Sequence, residues 1–321
     1  DAVSIACAQE ILASKCPSTF LSVGASIGLF GMSMAVAGSV EQKQRYLPKL
    51  IQGETIGCFG LTEPQSGSDV KGTKTKAKQV QDGYILNGEK TLITNAPCAD
   101  HAIIAAILEE DNKPGTALSL FVVDSQTQGF TQSKALKKMG LNGSPTGSLH
   151  LENFFVPENQ LIGQKHHGFK QIVSVLEMGR IGITAMSIGI AQRAMDLSIA
   201  YALERKAFGK SIAHFQDIHF KIADMKILIE GARLQLLKCA WLKSQNKPVG
   251  EQGSIAKYFA SEMCLKVVND AVQIFGGYGY LSEYEIERLY RDARLMTIGE
   301  GTSIIQQGII IKESLNCSEI P

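Results

Sequence analysis

Glu300 stands between two glycines in the run Thr297-Ile298-Gly299-Glu300-Gly301-Thr302-Ser303, just after a charged stretch over 285–294 that reads as helix. Glycines break a helix and let the backbone pass close to another group, so this carboxylate is presented from a loop end, as a candidate general base. An equally local reading makes it a helix-start acid that offsets the dipole of the segment beginning at Thr302. Its role depends on what the rest of the chain brings around it.

The 321 residues suffice for about two domains at ~150 residues each, with a large buried core. Thirty-two Lys and Arg against 31 Asp and Glu leave a charge of +1, so no overall field draws in nucleic acid or an anionic membrane. The seven cysteines (Cys7, Cys16, Cys58, Cys98, Cys239, Cys264, Cys317) are odd in number, with no Cys-x-x-Cys pair. That pattern fits buried thiols in a reducing compartment and gives neither a disulfide framework nor a zinc site. His166 and His167 are adjacent, and His214 and His219 are five apart rather than four, so metal catalysis is not expected. Residues 16–40 carry no charge and are long enough to span a bilayer. Yet nine of residues 17–40 are Gly or Ser, and Gly24, Gly28, Gly31 and Ala35 share a helical face, which favours a buried helix. No basic region precedes it, as a signal peptide would require. The chain opens at Asp1 inside an apparent helix, so upstream sequence is expected.

Residues 1–54 read as helical, with apolar periodicity through Ile11, the small-residue helix and a solvated segment over 40–51. The period then changes. Thr73-Lys74-Thr75-Lys76-Ala77-Lys78 alternates, Asp82-Gly83 and Asn87-Gly88 are hairpin-turn dipeptides, and 117–123 and 148–154 look like further strands. Short strands joined by tight turns imply a small barrel or sandwich. After Pro157 the helical period returns, with segments near 167–206, 216–246, 251–275 and 281–296 and a short one from 302, as in an antiparallel bundle. The fold class is α+β and multidomain: a helical part (1–54), a central β domain (55–158) and a helical bundle (159–321).

Two phosphate motifs fail. Gly209-Lys210-Ser211 resembles the end of a P-loop, but Glu204 stands where that motif needs glycine, and no Gly-x-Gly-x-x-Gly links a strand to a helix. Four other segments carry more. Leu61-Thr62-Glu63-Pro64-Gln65-Ser66-Gly67-Ser68-Asp69 follows a strand with hydroxyls and glycine, where amides can face a phosphate or a polar ring edge. Leu92-Ile93-Thr94-Asn95 closes a second strand, Arg205-Lys206-Ala207-Phe208-Gly209 ends a bundle helix, and Gln273-Ile274-Phe275-Gly276-Gly277-Tyr278-Gly279 ends another with a glycine pair open to a pyrophosphate.

In this order, on a helix–β–helix layout, these segments resemble the acyl-CoA dehydrogenase family of flavoproteins, from about Ala8 to Lys312. Ser174-Val175-Leu176-Glu177-Met178-Gly179-Arg180-Ile181-Gly182 is most similar to the short-chain and short-branched-chain members, while the family's opening helices are absent. The resemblance implies FAD as cofactor. Phe59, Leu61, Thr62, Gly67 and Ser68, with Leu92, Ile93 and Thr94, would line the isoalloxazine and its ribityl-phosphate arm, and Thr302, Ser303 and Ile304 would also lie beside the flavin. Arg205, Phe208, Gln216, Gln273, Ile274, Phe275, Gly276 and Gly277 would hold the adenine end, completed by a neighbouring subunit, which implies a homo-oligomer, a dimer or dimer of dimers. Ser68, Glu177, Met178, Gly179, Arg180 and Gly301 match positions that touch the acyl-CoA thioester.

Glu300 would be the base that removes the α-proton, its amide helping to hold the thioester oxygen as that oxygen gains charge. Some members carry the base on the residue before the matching arginine. Here that residue is Gly179, which leaves Glu300. The implied activity is α,β-dehydrogenation of a short or branched acyl-CoA to the 2-enoyl-CoA, in fatty acid metabolism. Electrons would pass to an electron-transferring flavoprotein, in the cytoplasm of a bacterium or the mitochondrial matrix of a eukaryote. An acyl-CoA oxidase-type flavoenzyme and a non-catalytic assembly protein on the same fold are the alternatives. Three departures stand out: Leu92 where the family often has Trp, Ile304 in place of a polar residue, and Gly299 where many members have an aromatic ring. The last enlarges the site and implies tolerance of bulk near the α-carbon.

Overall fold

The structure, a computed structural model, describes residues 1–109 and 118–315. Helix α1 (Ala2–Lys15) starts on Asp1, whose side chain accepts the Ser4 amide at 2.8 Å. The uncharged stretch forms α2 (Pro17–Val23), a π-helical segment (Gly24–Gly31) and α3 (Met32–Ala37). Helix α4 (Val40–Gln52) opens on a Ser39–Gln42 capping box and ends at Gly53 in the left-handed region. Strands follow as β1 (Gly57–Gly60), β2 (Lys76–Val80), β3 (Gly83–Thr94), β4 (His101–Leu108), β5 (Leu118–Asp124), β6 (Phe130–Gln132), β7 (Thr146–Pro157) and β8 (Leu161–Ile162). Then come α5 (Gly168–Glu204), a small hairpin of β9 (Lys206–Ala207) and β10 (Lys210–Ser211), α6 (Gln216–Ser244), α7 (Gly250–Phe275), α8 (Glu285–Ala293) and α9 (Ser303–Ser314). The chain forms two compact units. A helical unit comprises Asp1–Phe20, Lys138–Leu141 and the chain from Gly179 onward, and a sheet unit comprises the remainder.

In the sheet unit, eight strands form one mixed sheet in the order β6-β7-β3-β2-β4-β5-β8, with β1 also paired to β4. The pairings of β4 with β1 and with β2 are parallel, which a meander of tight turns does not predict. One face gathers Tyr84, Leu86, Ile104, Phe121, Leu149 and Phe154 into a single core. The other packs Phe59, Ile103, Leu120 and Val122 against Phe30, Met34, Tyr46 and Leu50. The expected barrel or sandwich is thus a sheet with a core on each face, and among the described residues its ladder ends at β6 and β8.

Asp82 does turn a hairpin, with φ 62, between paired Val80 and Gly83. Asn87-Gly88 does not: it lies inside β3 at a register shift. Gly88 has φ 155, and a Cβ there would meet Thr75 at 2.4 Å, so its glycine serves close approach inside the sheet. Ala117, the expected start of β5, and Cys317 fall outside the described residues. The small-residue stripe is also corrected. Gly31 is buried as expected, and a Cβ there would meet Leu50 at 2.9 Å; but atoms added at Gly24 or Gly28 meet nothing within 4 Å and Ala35 is exposed, while Ala25, Ser26, Phe30 and Met34 make the rest of the buried face. The π segment rotates the face that a regular 3.6 repeat predicts.

Within the helical unit, α1 is tied to α6 by Arg233, which donates to Glu10 at 2.7 Å. Gly189 of α5 lets α1 approach so closely that a Cβ would stand 2.5 Å from the Glu10 carbonyl. Residues 281–284, expected as helix, form a turn before α8. Arg205 to Gly209, expected to close a helix, lie beyond α5, where Phe208 and Gly209 (φ 51 and 79) turn the small hairpin. Pro17–Ala37 and Gly168–Glu204 are long and apolar enough to cross a membrane by composition, and the second is mostly buried within the fold. Of the six described cysteines, all free, Cys58, Cys239 and Cys264 are buried, whereas Cys7, Cys16 and Cys98 are exposed rather than buried as expected.

Candidate active site

The turn after α8 delivers Glu300 in a left-handed conformation, φ 56, followed by Gly301 at φ 86. The carboxylate does not cap α9. Thr302 fills that place, its hydroxyl accepting the Ile305 amide at 3.3 Å. The Glu300 side chain instead lies over Gly179 of α5, where an added Cβ would stand 2.5 Å from Oε2. The two family positions for the base are therefore one place in space, and glycine at 179 makes room for the acid from 300. Oε2 is buried and has no hydrogen-bond partner among the described residues. Burial pushes the Glu300 pKa up to about 7, against the opposing charges of Arg180 and Lys257. A carboxylate so placed is stable enough to ionise near neutrality and basic enough to take a proton.

The flanking glycines differ. Gly301 is required, because its φ is positive and a Cβ would come within 2.7 Å of Gln306 Nε2. At Gly299 an added Cβ first meets Leu295 at 3.7 Å, an ordinary contact, so the site has space beside it. Arg180 is buried one turn beyond the half-buried Glu177 and Met178 on α5. Ser303 donates to Glu262 at 2.5 Å, and Ile304 is largely exposed.

A second region of the helical unit is a cavity of about 440 Å³ lined by Tyr201, Arg205, Ile212, Phe275, Gly276, Gly277 and Tyr278, among others. Ile274 also lines it, whereas Phe208, Gln216 and Gln273 do not. Arg205 lies over the Tyr278 ring at 5.3 Å, and Cβ atoms at Gly276 or Gly277 would meet nothing within 4 Å. An open glycine pair beside a cation and stacked rings fits a nucleotide's pyrophosphate and base. Phe208 projects its ring into solvent at 95 % exposure, an apolar group left for some other surface.

In the sheet unit, the ends of β1 and β3 are brought together: the Thr91 amide donates to the Thr62 carbonyl at 2.9 Å. Leu92 sits at a register shift with φ 57 and is 64 % exposed, so the strand turns its side chain out. Phe59 and Ile93 are buried, Leu61, Thr62 and Thr94 half-buried, and Gly67 and Ser68 exposed. This edge of hydroxyls, amides and one outward apolar side chain suits a flat heteroaromatic ring.

Sequence reasoning missed three residues that hold these segments. Lys90 is wholly buried and donates to Glu63 at 2.6 Å and to the Leu61 carbonyl at 3.2 Å. Lys257 is also wholly buried and donates to the Gly301 carbonyl at 2.7 Å, while Gln306 Nε2 donates to the carbonyls of Glu300 (3.1 Å) and Gly301 (3.0 Å). The signal was present: Lys257 shares a helical face with Gly253, Ala260 and Cys264, and Lys90 has the inward parity of Tyr84 and Leu86. A lone cation on an apolar face needs a partner.

A helical unit, a sheet unit, a buried carboxylate oxygen without a partner and a glycine-lined cavity beside an arginine fit one class: flavin-dependent dehydrogenases that act on a carbon–carbon bond. The family models for the acyl-CoA dehydrogenase N-terminal, middle and C-terminal domains match residues 1–54, 58–154 and 166–315. A probable acyl-CoA dehydrogenase of Bacillus subtilis is 46 % identical over 315 residues, 98 % of this chain and 83 % of its own length. A subunit of the caffeyl-CoA reductase–Etf complex of Acetobacterium woodii is 42 % identical, over 95 % of this chain and 80 % of its own. The solved butyryl-CoA dehydrogenase of Megasphaera elsdenii superposes with a TM-score of 0.95 at 38 % identity, over 98 % of this chain and 82 % of that one. The chain belongs to the acyl-CoA dehydrogenase family, and it is a flavoenzyme that uses FAD.

Proposed function

We propose that this enzyme removes the α-proton of a short or α-branched acyl-CoA thioester with Glu300. The observation that carries this is the shielded, unpartnered Glu300 oxygen over Gly179, a base with no structural contact of its own to satisfy. FAD, when bound, supplies the acceptor for the β-hydride. Thr62, Thr94 and the loop through Ser68 would hold its flavin end, and Arg205 with Gly276 and Gly277 an adenine end. The backbone amide of Glu300 would meet the thioester oxygen as charge gathers there, and the apolar acyl chain of a bound substrate would exclude water from the acid. Space beside Gly299 favours substrates with bulk near the α-carbon. Electrons would leave to an Etf like that named for the Acetobacterium relative. The enzyme would work in the cytoplasm of a bacterium or the matrix of a mitochondrion.

One observation supports a reversible role. Burial raises the Glu300 pKa to about 7, so the acid form suits the reverse direction, in which it would give a proton to the α-carbon of an enoyl thioester while reduced FAD, when bound, would supply the hydride to the β-carbon. A homo-oligomer is favoured by α6, whose exposed Phe220, Ile227, Leu234 and Trp241 recur every seven residues along one face. Ile227→Glu should lower the mass measured by light scattering. The test of the main reading is Glu300→Gln: it should stay yellow with FAD yet fail to bleach when mixed with butyryl-CoA. Normal bleaching would place the base elsewhere, and peroxide released during turnover would favour the oxidase.

A further inference from the structure

Lys257 has no obvious packing reason to be an ion. It lies at 0 % exposure inside α7, where an ammonium group is costly to desolvate, yet its Nζ makes a 2.7 Å bond to an uncharged carbonyl, that of Gly301. That carbonyl belongs to a strained turn. Glu300 is a non-glycine residue at φ 56, a strained conformation that persists only where surrounding contacts over-determine it. The contacts here are Lys257 from α7 and Gln306 from α9, which together hold both carbonyls of the turn.

We propose that Lys257 is the positioning residue of this reaction: its ammonium group fixes the Gly301 carbonyl, and through it the left-handed turn that aims the Glu300 carboxylate and amide. This rests on Glu300 as the base. Because the hydrogen bond goes to the backbone, the carboxylate keeps an unpartnered oxygen while still feeling a nearby positive charge. The charged groups facing Glu300 are Arg180 on α5 and Lys257 on α7, and those facing Lys257 are Glu300, Glu262 and Arg180. Burial lowers the Lys257 pKa to about 8, so the cation is present at neutral pH. Gln306 does the same mechanical work without charge. The two donors should therefore separate aim from electrostatics.

The experiment uses holoenzyme with butyryl-CoA in heavy water, reading α-proton exchange together with a carbon-13 NMR titration of the Glu300 carboxylate. Lys257→Met should slow exchange on the order of 100-fold with KM little changed, and should move the Glu300 midpoint up by about one unit. Lys257→Arg should restore the midpoint. Gln306→Met should slow exchange without moving it. Should Lys257→Met not fold, the unaltered enzyme still answers, because the Lys257 Nζ nitrogen-15 resonance must shift as Glu300 titrates. Parental exchange and midpoint in Lys257→Met, or a Lys257 resonance blind to the Glu300 titration, would overturn the proposal. Exchange surviving in Glu300→Gln would instead remove the base itself, a separate failure.

Discussion

Each unit buries a glutamate carboxylate oxygen near a lysine, and the two carboxylates behave in opposite ways. Glu63, in the sheet unit, accepts from Lys90 at 2.6 Å, the Lys74 and Thr75 amides at 2.6 and 3.0 Å, and the hydroxyl of Thr75 at 2.5 Å. Burial would raise its pKa, but Lys90 and these donors overcome it and hold the carboxyl well below its usual range. Glu300, in the helical unit, is pushed up to about 7 because burial outweighs the charges of Arg180 and Lys257. The difference lies in where each lysine sends its proton. Lys90 donates to its carboxylate as well as to the Leu61 carbonyl, making a fastener for the loop. Lys257 donates to a neighbouring carbonyl and leaves an oxygen of the acid without a partner. Saturating a carboxylate builds structure, whereas isolating one builds a base.

The sharpest way to break this contrast is to neutralise each acid. Glu300→Gln should cut flavin bleaching by about 10³-fold or more while the fold is kept, because only the proton acceptor is lost. Glu63→Gln should cost about 3–5 kcal/mol in urea unfolding, since Lys90 is left charged and underpaired in a dry core. Equal stability in that variant would mean the saturated pair is not a fastener. Next in size is pH. A carboxylate whose folded pKa is raised stabilises most below its unfolded value near 4.5 and loses that stabilisation as pH rises through about 7. Glu300→Gln should therefore gain about 3 kcal/mol over the parent at pH 8 and little at pH 5, by thermal unfolding. Glu63 has the opposite sign: its depressed pKa stabilises above about 4.5 and that contribution is lost in acid, so acid unfolding should start in the sheet unit. The rate should fall about tenfold per pH unit below the Glu300 midpoint, because only the ionised form accepts a proton. The smallest effects belong to the glycines: Gly301→Ala should cost about 1–3 kcal/mol through its positive φ, and Gly299→Ala less than about 0.5.

Much of the site was legible because local chemistry wrote it. The Glu300 run, the strand-end hydroxyls and the Gly276-Gly277 pair each break a regular pattern within a few residues, and the structure finds the last of these lining a cavity with Arg205. Asn87-Gly88 misled for the same reason. The pair has turn composition, but the demand for glycine comes from Thr75, on a neighbouring segment. The parallel pairing of β1 and β2 with β4 was illegible because neither pairing is made between consecutive strands. The small-residue stripe held at Gly31 but failed at Gly24, Gly28 and Ala35, because a π segment changes the angle between successive side chains and composition does not report it.

By itself, the sequence determined the helix–β–helix order, the family, and the carboxylate flanked by glycines, since periodicity and motif are properties of neighbours along the chain. Whether that carboxylate caps a helix or takes a proton was decided in tertiary structure. Gly179 on α5, Lys257 on α7 and Gln306 on α9 reach the Glu300 turn from distant positions in the sequence. A pKa near 7 is set by what surrounds an atom in space, and burial, the largest cause here, exists only once those helices have packed.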